Sequence, residues 1–106
     1  MVSSLTGFQR NFLRKKAHDI KPVVMVGKNG LTEEVIKAAD SALADHELIK
    51  IKFIDHKEEK QSLARSIEES TKALLVAVIG NIAVFYREST DPEKKEIFIP
   101  GLHAEK

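Results

Sequence analysis

The sequence predicts one α/β (α+β) domain with elements in the order α-β-α-β-α-β-β, two strand–helix–strand crossovers followed by a hairpin. Three observations carry this. Two short strand-like runs, at 22–26 and 47–54, are each followed by a stretch with helical spacing. A third run, Ala73 to Ile79, is apolar throughout and too short for a typical helix. Gly80-Asn81 then separates it from Ile82–Arg87 by the two residues that a tight hairpin uses. At 106 residues the whole chain, 1–106, is expected to form a single domain with one modest core.

The first helix opens at Leu5-Thr6, with Thr6 as N-cap and Gln9 completing a capping box. Phe8, Phe12, Leu13 and Ile20 are expected on its buried side, with Leu5 leading in. Arg10, Arg14, His18 and Lys21 fall within an arc of roughly 80° on another side. Lys16 projects into the apolar arc, where a long stem is able to snorkel. Pro22–Val26 is β-branched and opened by proline, a strand. Thr32 caps a second helix over about Glu33–Asp45, whose buried stripe is Val35, Ile36, Ala39, Ala42 and Leu43, with Leu31 stapled to Ile36. In the following strand Ile49, Ile51 and Phe53 face one way and Lys50 and Lys52 the other. Lys57–Thr71 is a polar third helix with a narrow edge of Leu63, Ala64 and Ile67. Ala73–Ile79 is expected at the centre of the sheet, and Ile97-Phe98-Ile99 as a short edge segment stopped by Pro100. Crossovers moving the same way along a sheet put the second and third helices on one face. The first helix then covers an edge or the remaining apolar surface.

Between the first strand and the second helix stands Gly27-Lys28-Asn29-Gly30. Glycines there let the backbone approach a ligand closely, free N–H groups suit an anion, and Lys28 adds a point charge. The loop is neither a P-loop nor a dinucleotide fingerprint. Taken alone it is read more simply as a tight turn, and Glu33 and Glu34 already occupy the positive end of the helix.

Charge distribution adds to it. Residues 1–30 hold six basic side chains against Asp19 alone, a net of +5, whereas the other 76 residues hold 11 basic and 15 acidic ones, a net of −4. Such asymmetry predicts one face built for a polyanion. Lys50 and Lys52 are placed to extend that basic surface, although an ordinary exposed strand face explains them more simply. The chain has no cysteine, which excludes disulfides and thiolate chemistry and fits a cytoplasmic setting. No signal peptide is read at the N-terminus, and no apolar run is long enough to span a membrane.

Leu5-Thr6, Gln9-Arg10, Phe12-Leu13-Arg14, Ala17-His18, Lys21-Pro22-Val23-Val24, the Gly27–Thr32 loop, His46–Lys50, Gly80 and Tyr86-Arg87 together resemble the YhbY-type CRM domain (chloroplast RNA splicing and ribosome maturation) over about residues 5–100. The resemblance implies an RNA-binding module whose single-domain bacterial members associate with precursors of the large ribosomal subunit. Plant relatives carry it in group II intron splicing factors. It implies a mixed four-stranded sheet similar to the C-terminal domain of translation initiation factor three. It also implies a GxxG loop comparable to that of KH domains, which clamps the nucleic-acid backbone. On that basis Gly27, Lys28, Asn29 and Gly30 contact RNA phosphates, with the basic side of the first helix beside them. Phe8 stands where the family often has lysine and Met25 where it often has glutamine, each removing a polar group from that surface.

The residues argue against an enzyme. His18, His46, His56 and His103 have no metal-ligand spacing and form no triad pattern, so neither a metal nor a cofactor nor a small-molecule substrate is expected. Asp55-His56 with Glu58 and Glu59 is read as the polar start of a helix. The predicted contact set for RNA, ribosomal RNA in particular, is Arg10, Arg14, Lys21, Gly27, Lys28, Asn29, Gly30, Lys50 and Lys52, on a monomer. The competing class is a protein-interaction module that docks its basic helix on an acidic protein.

Overall fold

A computed structural model describes residues 4–101, so Met1–Ser3 and Leu102–Lys106, with His103, lie outside the described residues. The elements are α1 (Gly7–Lys16), β1 (Val24–Val26), α2 (Glu33–His46), β2 (Leu48–Phe53), α3 (Lys60–Thr71), β3 (Leu74–Ile79) and β4 (Ile82–Tyr86), in the expected order. Single 3₁₀ turns follow α1 at Ala17–Asp19 and precede α3 at Lys57–Glu59. Thr6 and Gln9 form the reciprocal capping box, and Thr32 accepts the Val35 N–H at the start of α2.

The four strands form one mixed sheet in the order β1-β2-β4-β3. β1 and β2 are parallel, and β4 runs antiparallel to both β2 and β3. β3 is therefore an edge strand and β4 a central one, the reverse of the expectation for Ala73–Ile79. The run is apolar on both faces because both faces are covered, not because both edges are paired. On one face α2 and α3 pack Ala39, Leu43, Ala64 and Ile67 against Val26, Ile49, Ile51, Phe53 and Phe85. On the other, α1 and the turn after it pack Leu13 and Ala17 against Leu48, Val76, Val84 and Tyr86.

A bulge between Leu75 and Ala77 turns Val76 and Ala77 to the α1 face and leaves Leu75 and Val78 on the α2–α3 face. Side chains take up the edge groups that the bulge exposes. Arg10 Nη1 donates to the Leu75 and Val76 carbonyls at 2.7 and 2.8 Å, and the Leu75 N–H donates to Glu68 Oε2 at 2.7 Å. These bonds occupy the edge at the bulge, where a further strand would otherwise pair.

Three further expectations are corrected. Phe8 is 68% exposed, and Gln9 is buried in its stead, tied to Thr6 and to the Pro100 carbonyl. Lys16 lies on the exposed side with its ammonium 5.6 Å from the Phe12 ring centre, a cation–π contact rather than a buried stem. Ile97–Ile99 joins no ladder; Ile97 and Ile99 are buried on the α1 face while Phe98 is exposed. That segment is held by Glu47, which is fully buried at φ +60 beyond the end of α2. Its carboxylate accepts the N–H groups of Ser89, Glu96 and Ile97 at 2.6, 2.8 and 3.0 Å. A buried carboxylate with several N–H donors and Lys95 at 3.9 Å satisfies the rule that buried charge must be paired.

Candidate nucleic-acid interface

The GxxG loop is a β-turn, closed by a 3.0 Å bond from the Gly30 N–H to the Gly27 carbonyl. Gly30 sits at φ +72, a conformation that costs any residue with a Cβ. Gly27 needs no such freedom, and a Cβ built on it meets nothing within 4 Å. Lys28 and Asn29 are exposed at the tip.

His56 holds this loop from the side. Its Nε2 is 2.8 Å from the Lys28 carbonyl and its Nδ1 is 3.4 Å from Glu59 Oε1. The hydrogen bond to the Lys28 carbonyl raises the imidazole's pKa above its ordinary value. Partial burial opposes this, and the Asp55 and Glu59 carboxylates add to the rise. The Asp55–Glu59 stretch thus does more than open a helix. No motif marks His56 as a loop contact, because the two segments meet only through the parallel β1–β2 pairing.

The loop end of the sheet gathers several parts. Ile54 and Asp55 donate backbone N–H groups to the Val26 carbonyl, and the Phe53 N–H donates to Asn81 of the β3–β4 turn. Where α1 leaves the sheet uncovered at this end, a groove of about 690 Å³ opens between helix and strands. Arg14, Lys15 and His18 line its helix side, and Lys50, Ile79 and Ile82 its sheet side. Lys52 is exposed on the same face as Lys50, one register step closer to the loop. Lys21 is exposed just before β1.

Among the described residues, ion pairs take up Arg65, Arg87, Lys94, Lys95 and His56, and none takes up a basic side chain between Arg10 and Lys52. Lys50 Nζ reaches only the His18 carbonyl, at 3.5 Å, too long to hold it. Arg10 departs from the set. It points at the β3 edge and bonds the bulge carbonyls, so of the stripe Arg10, Arg14, His18 and Lys21 only Arg14 and His18 line the groove. Lys15 lines the groove as well and was not in the predicted contact set.

Residues 5–87 match the CRS1 / YhbY (CRM) domain model. The chain is 40% identical over 97 residues to the Probable RNA-binding protein YqeI of Bacillus subtilis, covering 91% of this chain and 99% of that one. It is 43% identical over 100 residues to a protein of Haemophilus influenzae named RNA-binding protein, covering 93% and 98%. The solution structure of SAV1595 from Staphylococcus aureus superimposes with a TM-score of 0.75 at 40% identity, over 89% of this chain and 99% of that one. No helix among the described residues is long and apolar enough to cross a membrane. With a three-helix, four-stranded α+β fold and a match over most of its length, the chain belongs to the CRS1/YhbY (CRM) domain family.

Proposed function

We propose that this protein is an RNA-binding module that grips the ribose-phosphate backbone between its GxxG loop and the cations of α1 and β2. The observation that carries the reading is the set of basic side chains without carboxylate partners: Arg14, Lys15, Lys28, Lys50 and Lys52 from the groove to the loop, with Lys21 at the opposite end of β1 from the loop. A self-contained solvent face pairs its bases with interleaved acids; here Asp19 is the one carboxylate lining the groove, and it forms no ion pair with these cations. The naming of relatives as RNA-binding proteins supports RNA as the polyanion.

In this reading Gly27 and Gly30 let a phosphate approach the turn, Lys28 and Asn29 meet it, and His56 keeps the turn in place. Arg14, Lys15, Lys21, Lys50 and Lys52 continue the contact along the strand of RNA. Phosphates position and bases specify, so these contacts by themselves give affinity without sequence preference. The RNA is ribosomal, in precursors of the large subunit, and the protein acts as a cytoplasmic monomer that binds rather than catalyses, with no cofactor.

The test is sedimentation of cell extract on a gradient, with and without ribonuclease. Co-migration with large-subunit particles that is lost after nuclease is the expected result. Co-migration that survives nuclease identifies an acidic protein partner and overturns the reading.

A further inference from the structure

The α1 face of the sheet is left bare at its loop end, in a row that is apolar but for Lys52. Strand register places Met25, Lys52, Ile82 and Ile79 side by side in one row across all four strands. Met25 is 46% and Ile79 51% exposed, and both lie on the face that α1 covers elsewhere. Ile97 and Ile99 cover the other end of that face, so the exposed row is not an unfinished core. At about 4.8 Å between strands the row is roughly 14 Å long, the footprint of two bases laid flat.

We infer that this row is a seat for unstacked bases of single-stranded RNA, whose backbone is held by the cations around it. The inference rests on the RNA-binding reading and adds to it the strandedness of the ligand. Charge complementarity selects this occupant. Lys52 stands within the row, Lys50 one step behind it, and Arg14, Lys15 and His18 rise along the helix side of the adjoining groove, with Asp19 the one carboxylate lining it. An apolar strip flanked by unpaired cations suits a ligand with flat apolar rings on a polyanionic chain. A duplex hides its base faces and gains nothing from such a strip. The methionine thioether and isoleucine methyl groups offer polarizable contact to either face of any base, which makes the seat tolerant of sequence.

The test uses Met25→Ser, Ile79→Ser and the double variant, at exposed positions where thermal melting checks that the fold is intact. Binding of fluorescein-labelled ten-nucleotide oligouridine and oligoadenosine, and of a ten-base-pair RNA duplex, is followed by anisotropy across a salt series. Each single variant is expected to weaken single-strand binding about fivefold and the double variant about twentyfold. The salt slope is expected to stay unchanged, because no phosphate contact is lost. Duplex binding is expected to be weaker than single-strand binding in the wild type and unaffected by the variants. Equal losses on duplex and single strand overturn the inference. So do unchanged single-strand affinities where Lys28→Gln still weakens binding, which leaves the backbone reading standing. Concentration-dependent self-association that the double variant abolishes, with RNA binding intact, assigns the row to a second copy instead. A wild-type protein that binds none of these RNAs overturns both readings.

Discussion

Arg10 and Arg14 lie one turn apart on the same helix, yet the fold gives them different work. Arg10 Nη1 bridges two carbonyls of the β3 bulge, at 2.7 and 2.8 Å. Truncation to alanine removes a charged donor from two partly buried acceptors, and hydrogen bonds to charged groups contribute about 1.5–3 kcal/mol. The carbonyls sit at a sheet edge where water is able to reach them, so the lower half of that range applies, about 2 kcal/mol. For a domain of this size that lowers the Tm by roughly 10 °C. Arg14→Ala, which removes an exposed side chain and breaks no hydrogen bond or ion pair, is expected to change the Tm by under about 1 °C and to weaken RNA binding severalfold. Calorimetry and an anisotropy titration on the two variants read both axes. If Arg10→Ala melts like the wild type and loses RNA affinity as Arg14→Ala does, the structural assignment of Arg10 is refuted.

The other expectations are narrower. Glu47→Gln places an amide N–H against backbone N–H donors that both carboxylate oxygens now satisfy, and is expected to cost about 2–4 kcal/mol in urea unfolding; a variant as stable as the wild type contradicts the anchoring role. His56 is expected to titrate above the usual histidine value of 6.5 in an NMR pH series. Its folded pKa is raised, so the stabilisation it gives is full below the unfolded value and is lost as pH rises through the folded one; a titration at or below 6.5 contradicts the clasp. Gly27→Ala is expected to fold as the wild type, since its Cβ meets nothing, while weakening RNA binding by blocking close approach; undiminished binding argues that no phosphate sits there. Gly30→Ala is expected to lose about 1–2 kcal/mol of stability through its left-handed backbone, seen as a lower Tm, whatever it does to RNA.

The periodicities made the helices, the strand order along the chain and the shared face of α2 and α3 legible, because helical and strand spacing report burial directly. The capping box at Thr6–Gln9 was legible for the same reason, being wholly local. Position within the sheet was not. A doubly covered edge strand has the same apolar run as a central one, so β3 read as central and lies at the edge. Phe8 and Gln9 exchanged burial because a distant carbonyl, that of Pro100, gives Gln9 a partner that helical spacing does not foresee. Arg10, Glu47 and His56 owe their roles to backbone groups 65, 50 and 28 residues away, and backbone donors and acceptors leave no mark in a sequence. The GxxG turn and the cations were visible in sequence; which of those cations the fold had already engaged was not.

The central claim is that unpaired cations near the loop hold RNA phosphates, and a salt series tests it most directly. For wild-type protein on single-stranded RNA, log K against log salt is expected to fall with a slope of about −3 to −4, for four to six phosphates. Lys28→Gln and Lys52→Gln should each make the slope shallower by about 0.7, while Arg65→Gln, whose cation is already paired with Glu68, should leave it alone. Binding that ignores salt, or that Arg65→Gln alters as much as Lys28→Gln does, contradicts the claim.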